Sequence, residues 1–434
     1  MPEQKKLPHV VIIGGGFAGI AAARALRRAP VHVTLLDRTN HFIFQPLLYQ
    51  VATAALAPSD ITAPIRWILR RQQNTQVLMS DVRKIDPSRR IVFIDDAMRE
   101  IAYDYLIVAS GARHAYFGHD EWEPYAPGLK AIEDASEIRR RFLLAFENGE
   151  KCEDPAEREE YLTFVIVGGG PTGVELSGAL PFIARKALAP DFRSIDARRT
   201  RVVLLEAGPR ILPSFPEDLA RRAAEDLKDL GVEVRTGSLV TKVERDGVCI
   251  GDEKIRARTT FWAAGNKASP LGAFLDAPLD RVGRVHVNPD LSVQGHPEIF
   301  AVGDLAVITQ DGRMVPGVCP AANQEGATAA KNILRDLRRQ PRKNFRYFNK
   351  GDLATIGRSR AIADFGKVRF SGRLAWFLWL FVHIMYLVGF RNRLSVLLQW
   401  SYAYFTYQRG VRLITDVERY KPPTEFVADR PENA

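Results

Sequence analysis

The chain is poor in cysteine. Its 434 residues include three, Cys152, Cys249 and Cys319, and none falls in a CxxC or CxxxxC pair. This excludes the dithiol relay that disulfide reductases set beside a flavin, and it points to a reducing compartment without structural disulfides. No zinc-finger, helix-turn-helix or aromatic-basic motif occurs, so neither nucleic acid nor a metal site is expected. Only Met1 to Pro8 precede the first apolar strand. That leaves no room for a signal peptide, and the body of the protein is expected in the cytoplasm. Long uncharged runs are also scarce. Leu374 to Phe390 carries no formal charge, but seventeen residues of helix reach only about 25 Å, short of the roughly 30 Å hydrocarbon core.

What is present is ordinary for a soluble globular chain: 46% hydrophobic and 26% charged residues, enough length for two to three domains. The net charge of +10 suggests an anionic surface as partner. The clusters Arg70-Arg71, Arg139-Arg140-Arg141 and Arg198-Arg199 read equally well as solvated faces.

Two glycine turns carry the main signal. Val10-Val-Ile-Ile-Gly14-Gly15-Gly16-Phe17-Ala18-Gly19 recurs as Phe164-Val-Ile-Val-Gly168-Gly169-Gly170-Pro171-Thr172-Gly173. In each, an apolar strand gives way to glycines where the backbone turns sharply and approaches a pyrophosphate, at the positive end of the next helix. Asp37 ends the run Val31–Leu36, 23 residues after Gly14, close to the spacing of a ribose-binding carboxylate. Glu206 ends Arg201–Leu205, 38 residues after Gly168, so the second unit holds an insertion, a longer helix and a basic loop over Leu180 to Thr200. A carboxylate there accepts from a ribose 2′-OH and repels a 2′-phosphate, which favours NADH over NADPH. The chain is read as binding two dinucleotides.

The order of these units is discontinuous. The first nucleotide unit closes at Tyr103-Asp-Tyr-Leu-Ile-Val-Ala-Ser-Gly-Ala112, the second at Phe261-Trp-Ala-Ala-Gly265, and the chain then returns through Pro297-Glu-Ile-Phe-Ala-Val-Gly-Asp304. The expected fold is α/β, two Rossmann-like domains with one inserted in the other, plus a C-terminal membrane-anchoring helical region. The boundaries are residues 1–115 and 281–345 for the first nucleotide domain, 116–280 for the second and 346–434 for the C-terminal region. Asp304 reads either as a helix N-cap or as an acceptor for the ribityl hydroxyls of FAD.

The order of motifs resembles the two-dinucleotide-binding flavoproteins with a glutathione-reductase-like plan, and specifically the type II (alternative, non-proton-pumping) NADH:quinone oxidoreductases. The likeness rests on Gly14 to Gly19, Asp37, Asn40-His-Phe-Ile-Phe-Gln-Pro-Leu-Leu-Tyr49, Gly168 to Glu175, Ala301 to Asp304, Gln324 and Lys350-Gly351, and it spans almost the whole chain. It implies non-covalent FAD held by Gly14, Gly16, Phe17, Ala18, Gly19, Asp37, Arg38, Gln45, Val82, Ser110, Gly111, Asp304, Ala321 and Ala322. It implies NADH held by Gly168, Gly170, Pro171, Thr172, Gly173, Glu206, Ala264 and Gly265. Of the residues near the chemistry, Glu175 would lie by the nicotinamide and move protons toward quinone, Gln324 would bond a quinone carbonyl, and Lys350 would balance charge at the flavin. Each also has a plainer reading, as a helix-dipole carboxylate, a helix-face amide and a solvated lysine. Pro320 opens a helix whose N-terminus the family aims at the flavin. There Cys319-Pro320 replaces the Ala-Gln of many members, so the role of that first glutamine does not carry over. Cys319 reads as a packing residue.

The tail supplies the second substrate. Leu374–Phe390 and Leu394–Gln408 read as two helices interrupted by Arg391-Asn392-Arg393, rich in Trp and Tyr and flanked by Arg369, Arg373, Arg391, Arg393, Arg409 and Arg412. Such segments lie on or dip into a bilayer, with arginines toward anionic lipid. A buried core or dimerisation helix is the alternative, and His383 reads as a hydrogen-bonded helix histidine. The expected partners are a membrane quinone, an anionic lipid surface on the cytoplasmic side of the inner (plasma) membrane, and a second copy through the C-terminal region. Two rivals remain: a soluble NAD(P)H-dependent reductase of a small electron-transfer protein, and a nucleotide-dependent redox sensor. Sulfide:quinone chemistry is disfavoured for want of placed cysteines.

Overall fold

The structure, a computed structural model, describes residues 7–408 and 410–415; Arg409 and the chain beyond residue 415 lie outside them. His9–Ile13 is the central strand of a six-stranded sheet. It pairs in parallel with His32–Asp37 on one side and Tyr105–Val108 on the other. Thr75–Met79 extends the first side, while His296–Ala301 and the antiparallel Ser292–Val293 extend the second. The unbroken apolar run Val10–Ile13 suits a strand covered on both faces, and all four residues are buried.

The second unit repeats the plan. Thr163–Val167 is buried throughout and lies between Arg201–Leu205 and Thr259–Trp262, with Val232–Arg235 at the edge. Each unit also carries a three-stranded antiparallel meander, over Val82–Ala102 and Lys242–Arg256. The chain crosses between the units twice, and the crossings Ala112–His114 and Asn266–Ala268 bond to each other as antiparallel strands.

The return brings helix Cys319–Leu337 against the first fingerprint helix, Phe17–Ala25. A Cβ on Gly326 would stand 2.0 Å from the Ala18 carbonyl oxygen, so the two backbones meet there with no side chain between them. The inserted length after the second fingerprint is a helix, Pro171–Phe182, running into a π-helical turn, Ile183–Leu188.

The C-terminal region is a three-stranded sheet, Asp352–Gly357, Arg360–Asp364 and Arg369–Ser371, followed by helices Gly372–Tyr386 and Phe390–Thr406. Its first strand lies on the second fingerprint helix, where a Cβ on Gly178 would clash with the Ile356 carbonyl. The sequence reading put the break between the helices at Arg391–Arg393; it falls instead at Leu387–Gly389. Gly389 takes φ +87, which glycine accepts without a Cβ penalty. Arg393 donates from Nε to the Leu387 carbonyl at 2.8 Å, so this charge closes the preceding helix end. Among the described residues no helix is long and apolar enough to cross a membrane. The hairpin nonetheless exposes Phe377, Phe381, Met385, Phe390, Leu394, Leu398 and Phe405, as an interfacial pair would.

Candidate active site

The two glycine turns share one geometry. Gly14 N–H donates to the Leu36 carbonyl and Gly168 N–H to the Leu205 carbonyl, both at 2.7 Å. Gly14 and Gly168 take φ +99 and +111, and a Cβ on either would press on the backbone of Ala109 or Ala263. A Cβ on Gly19 or Gly173 would strike the carbonyl of Gly14 or Gly168, so the helix can leave the turn only from a glycine. Gly16 and Gly170, by contrast, face open space, and there the backbone of helices Phe17–Ala25 and Pro171–Phe182 begins. Each turn thus presents N–H groups and a positive helix end to one open site.

The acidic residues complete the likeness. Asp37 accepts from Gly15 N–H at 2.6 Å and from the N–H and hydroxyl of Thr39 at 2.7 and 2.8 Å. Glu206 accepts from Gly169 N–H at 2.6 Å and Gly208 N–H at 2.7 Å. Each carboxylate latches its glycine turn and keeps lone pairs for a ribose hydroxyl.

The first site continues into a cavity of about 170 Å³ walled by Gly303, Asp304, Val318, Ala322 and Glu325 among others. Asp304 stands inside a short helical turn, Gly303–Leu305, whose N-cap is Val302, so it is not the N-cap. Burial raises its carboxyl from the ordinary range, with Lys130 and Arg284 pulling back. The buried Ser110 hydroxyl has no hydrogen-bond partner among the described residues. Gly111, at φ +67, has nothing within 4 Å of a built Cβ. The orphaned donor, the open glycines and the cavity beside Asp304 fit FAD. Of the other expected flavin residues, Phe17 packs edge-on to Phe42, Ala321 is buried, Arg38 is exposed, and Val82 is half-buried at the meander's first strand. Gln45 donates to the Lys130 carbonyl at 3.3 Å.

In the second site Pro171 and Thr172 open the helix, and Ala264-Gly265 follow the strand Thr259–Trp262. Gly265, at φ +74, lies under the ring of Phe117. Glu175 stands between this helix and the C-terminal sheet. Burial pushes its carboxyl well above the usual range, opposed by a hydrogen bond from the Thr355 backbone.

Gln324 and Lys350 are committed elsewhere than expected. The Gln324 amide pairs with the backbone of Phe348 in both directions, Nε2 to the carbonyl at 3.0 Å and Oε1 from the N–H at 2.9 Å. It also donates to the Pro320 carbonyl at 3.1 Å. It therefore fastens the extended connector to the helix, and its polar atoms are already used. Lys350 turns toward the hairpin, donating to the Tyr386 hydroxyl at 3.1 Å.

Sequence reasoning missed Glu325. It is buried, accepts from Gly303 N–H at 2.5 Å, and is pushed by burial to about 7 with Asp304 adding to the rise. It also missed the docking of the hairpin on the first domain. Trp400 Nε1 donates to Gln50 at 2.7 Å, and Ser395 and Gln399 both donate to Asp60 at 3.1 Å. His383 bonds the Trp379 carbonyl through Nδ1 at 2.7 Å, as a helix histidine does.

Residues 8–326 match the family model described as pyridine nucleotide-disulphide oxidoreductase, and residues 349–407 match the one described as NDH2 C-terminal domain. Two type II NADH:quinone oxidoreductases of Mycobacterium tuberculosis are 43% and 45% identical. The alignments cover 95% and 94% of this chain, and 91% and 89% of the relatives. The chain belongs to the type II NADH:quinone oxidoreductases. Among solved structures, NDH2 of Plasmodium falciparum in complex with NADH superposes with a TM-score of 0.85 over 94% of this chain and all of that one, at 21% identity. The sulfide:quinone oxidoreductase of Aquifex aeolicus shares the fold, with a TM-score of 0.72 at 22% identity over 89% of this chain and 92% of that one. Cys152, Cys249 and Cys319 are all free in this chain.

Proposed function

We infer that this chain oxidises NADH and reduces a membrane quinone by two electrons, with FAD as the carrier and without pumping protons. One observation carries the reading: two open, carboxylate-latched glycine turns on one chain, with a greasy hairpin docked on the domain that holds the first. FAD, held by the turn Gly14–Gly19 with Asp37 and Asp304, would supply the two-electron redox chemistry. The protein binds, aligns and manages charge. Gly170 and Gly173 give the NADH pyrophosphate backbone N–H groups at a helix N-terminus, beyond the turn that Gly168 makes. Glu206 holds the ribose 2′-OH and repels a 2′-phosphate.

Glu175 is assigned the proton. Burial pushes its carboxyl upward, toward the protonated form that can donate where quinone gains charge. Gln324 is assigned a positioning role, through Phe348, and Lys350 another, through Tyr386. The hairpin lies flat on the cytoplasmic leaflet, its arginines toward anionic headgroups, and is the surface through which two copies would pair. Oxidation of NADH and NADPH by the purified protein, with a short-chain quinone and oxygen compared as acceptors, tests the whole reading. Glu175→Gln tests the proton: quinone reduction falls by at least about tenfold, while ferricyanide, which takes no proton, is reduced as before. Equal loss with both acceptors removes the role.

A further inference from the structure

The membrane-facing hairpin has a neighbour from the first nucleotide domain. The short helix Ile65–Leu69 lies against the turn between the two C-terminal helices: a Cβ on Gly389 would be 3.5 Å from the Trp67 ring. Asn392 fixes the same junction by donating to the Thr62 carbonyl at 3.0 Å. Trp67 is 46% exposed, and Phe390, the first residue after the turn, is 80% exposed. The Arg70 guanidinium lies 4.4 Å over the Trp67 ring. Arg66, Arg70 and Arg71 are exposed, as is Arg391 across the junction. None of the four forms an ion pair among the described residues, although arginines elsewhere are widely bridged, as in Arg140–Glu137, Arg342–Asp336 and Arg360–Asp226.

We propose that Trp67 with Arg66, Arg70 and Arg71 forms a second lipid-contacting element, which binds anionic phospholipid headgroups beside the hairpin turn. It rests on the reading that the hairpin lies on a bilayer. An exposed tryptophan at the end of an apolar surface, with unpaired cations around it, matches the chemistry of the headgroup layer: the indole sits among glycerol and carbonyl groups and the guanidinium ions meet phosphate. The consequence is orientation. With the hairpin alone the body can roll about the hairpin; with a contact from the flavin domain as well, the nucleotide domain is held to one tilt over the bilayer.

The test is co-sedimentation of the full-length holoenzyme with vesicles of phosphatidylcholine alone and of equal parts phosphatidylcholine and phosphatidylglycerol. Wild type binds the anionic vesicles more tightly, and added salt weakens that preference. Each arginine is worth about fivefold near such a surface. Combined Arg66→Gln, Arg70→Gln and Arg71→Gln therefore weakens binding to the anionic vesicles about a hundredfold, leaves binding to phosphatidylcholine alone unchanged, and keeps NADH oxidation by a short-chain quinone in detergent at wild-type rate. The same substitutions taken singly, about fivefold each, carry the test should the triple variant fail to fold. If wild type shows no preference for anionic vesicles, the bilayer reading falls and this proposal with it. If wild type shows the preference and the arginine variants keep it, only the proposal is overturned.

Discussion

Acidification should loosen the hairpin from the flavin domain, through one imidazole. His383 stacks on Trp379 at 4.1 Å and meets Phe44 edge-on at 6.2 Å, and burial pushes its pKa down to about 4 despite the bond to the Trp379 carbonyl. In the unfolded chain the same group titrates near 6.5. Above pH 6.5 both states are neutral and the group contributes no pH dependence. As pH falls from 6.5 toward 4, the unfolded state takes up the proton first and stability is lost. The loss is about 2 kcal/mol at pH 5 and about 3 kcal/mol once pH 4 is passed. The assay is the thermal midpoint of wild type and His383→Gln across pH 7.5 to 4.5. The amide can keep the bond to Trp379 but does not titrate, so the packing it loses is a constant offset. The gap between the two proteins should shrink by a few degrees on going to pH 5. Parallel curves would refute the argument, since other titrating groups act on both proteins alike.

Three further outcomes follow from the contacts described. Gly326→Ala drives a methyl into the Ala18 carbonyl at 2.0 Å, so the flavin-domain helices must part; the purified variant should show little flavin absorbance per chain, and a full complement would contradict the close approach. Gln324→Ala removes two hydrogen bonds to the solvent-exposed Phe348 backbone, a cost of about 1 kcal/mol, and should raise the quinone KM while ferricyanide reduction holds; an unchanged quinone KM removes the positioning role. Glu206→Gln removes the charge facing the 2′ position, so NADH should lose about tenfold in kcat/KM while NADPH gains relative to it; an unaltered NADH/NADPH ratio would show that selectivity lies elsewhere.

The glycine turns were legible because each glycine answers a constraint that no other residue meets, as Gly14 against Ala109 and Gly168 against Ala263 show. The helix after Pro320 was legible for a similar reason, its apolar spacing and its proline start agreeing. Gln324 was not: its partner is backbone 24 residues further on, in a connector without periodicity, and a side chain's choice between backbone and ligand leaves no trace in spacing. Glu325 was missed because a carboxylate on a helix normally reads as solvated, and only the approach of Gly303 makes it buried. The hairpin break was misplaced because Arg391 and Arg393 were read as an interruption. In the fold the positive φ of Gly389 makes the turn, and arginines tolerate an interfacial helix by extending their charge outward.

The departure at Cys319-Pro320 takes its meaning from these contacts. Cys319 begins the helix that faces the flavin cavity. Burial, with the charge of Asp304 behind it, pushes its thiol up to about 12, so it stays protonated and is a poor nucleophile or redox relay. Pro320 has no N–H to offer, and its carbonyl is taken by Gln324. Neither Pro320 nor Gln324 therefore presents a free amide to a quinone. On the proposed role of Glu175, polar contact with the headgroup comes instead from this carboxyl, which burial pushes upward between helix Pro171–Phe182 and the C-terminal sheet. Recognition by one carboxyl constrains a quinone less than a pair of amides does. The chain should accordingly discriminate among quinone headgroups mainly by shape and apolar fit, with the docked hairpin setting both.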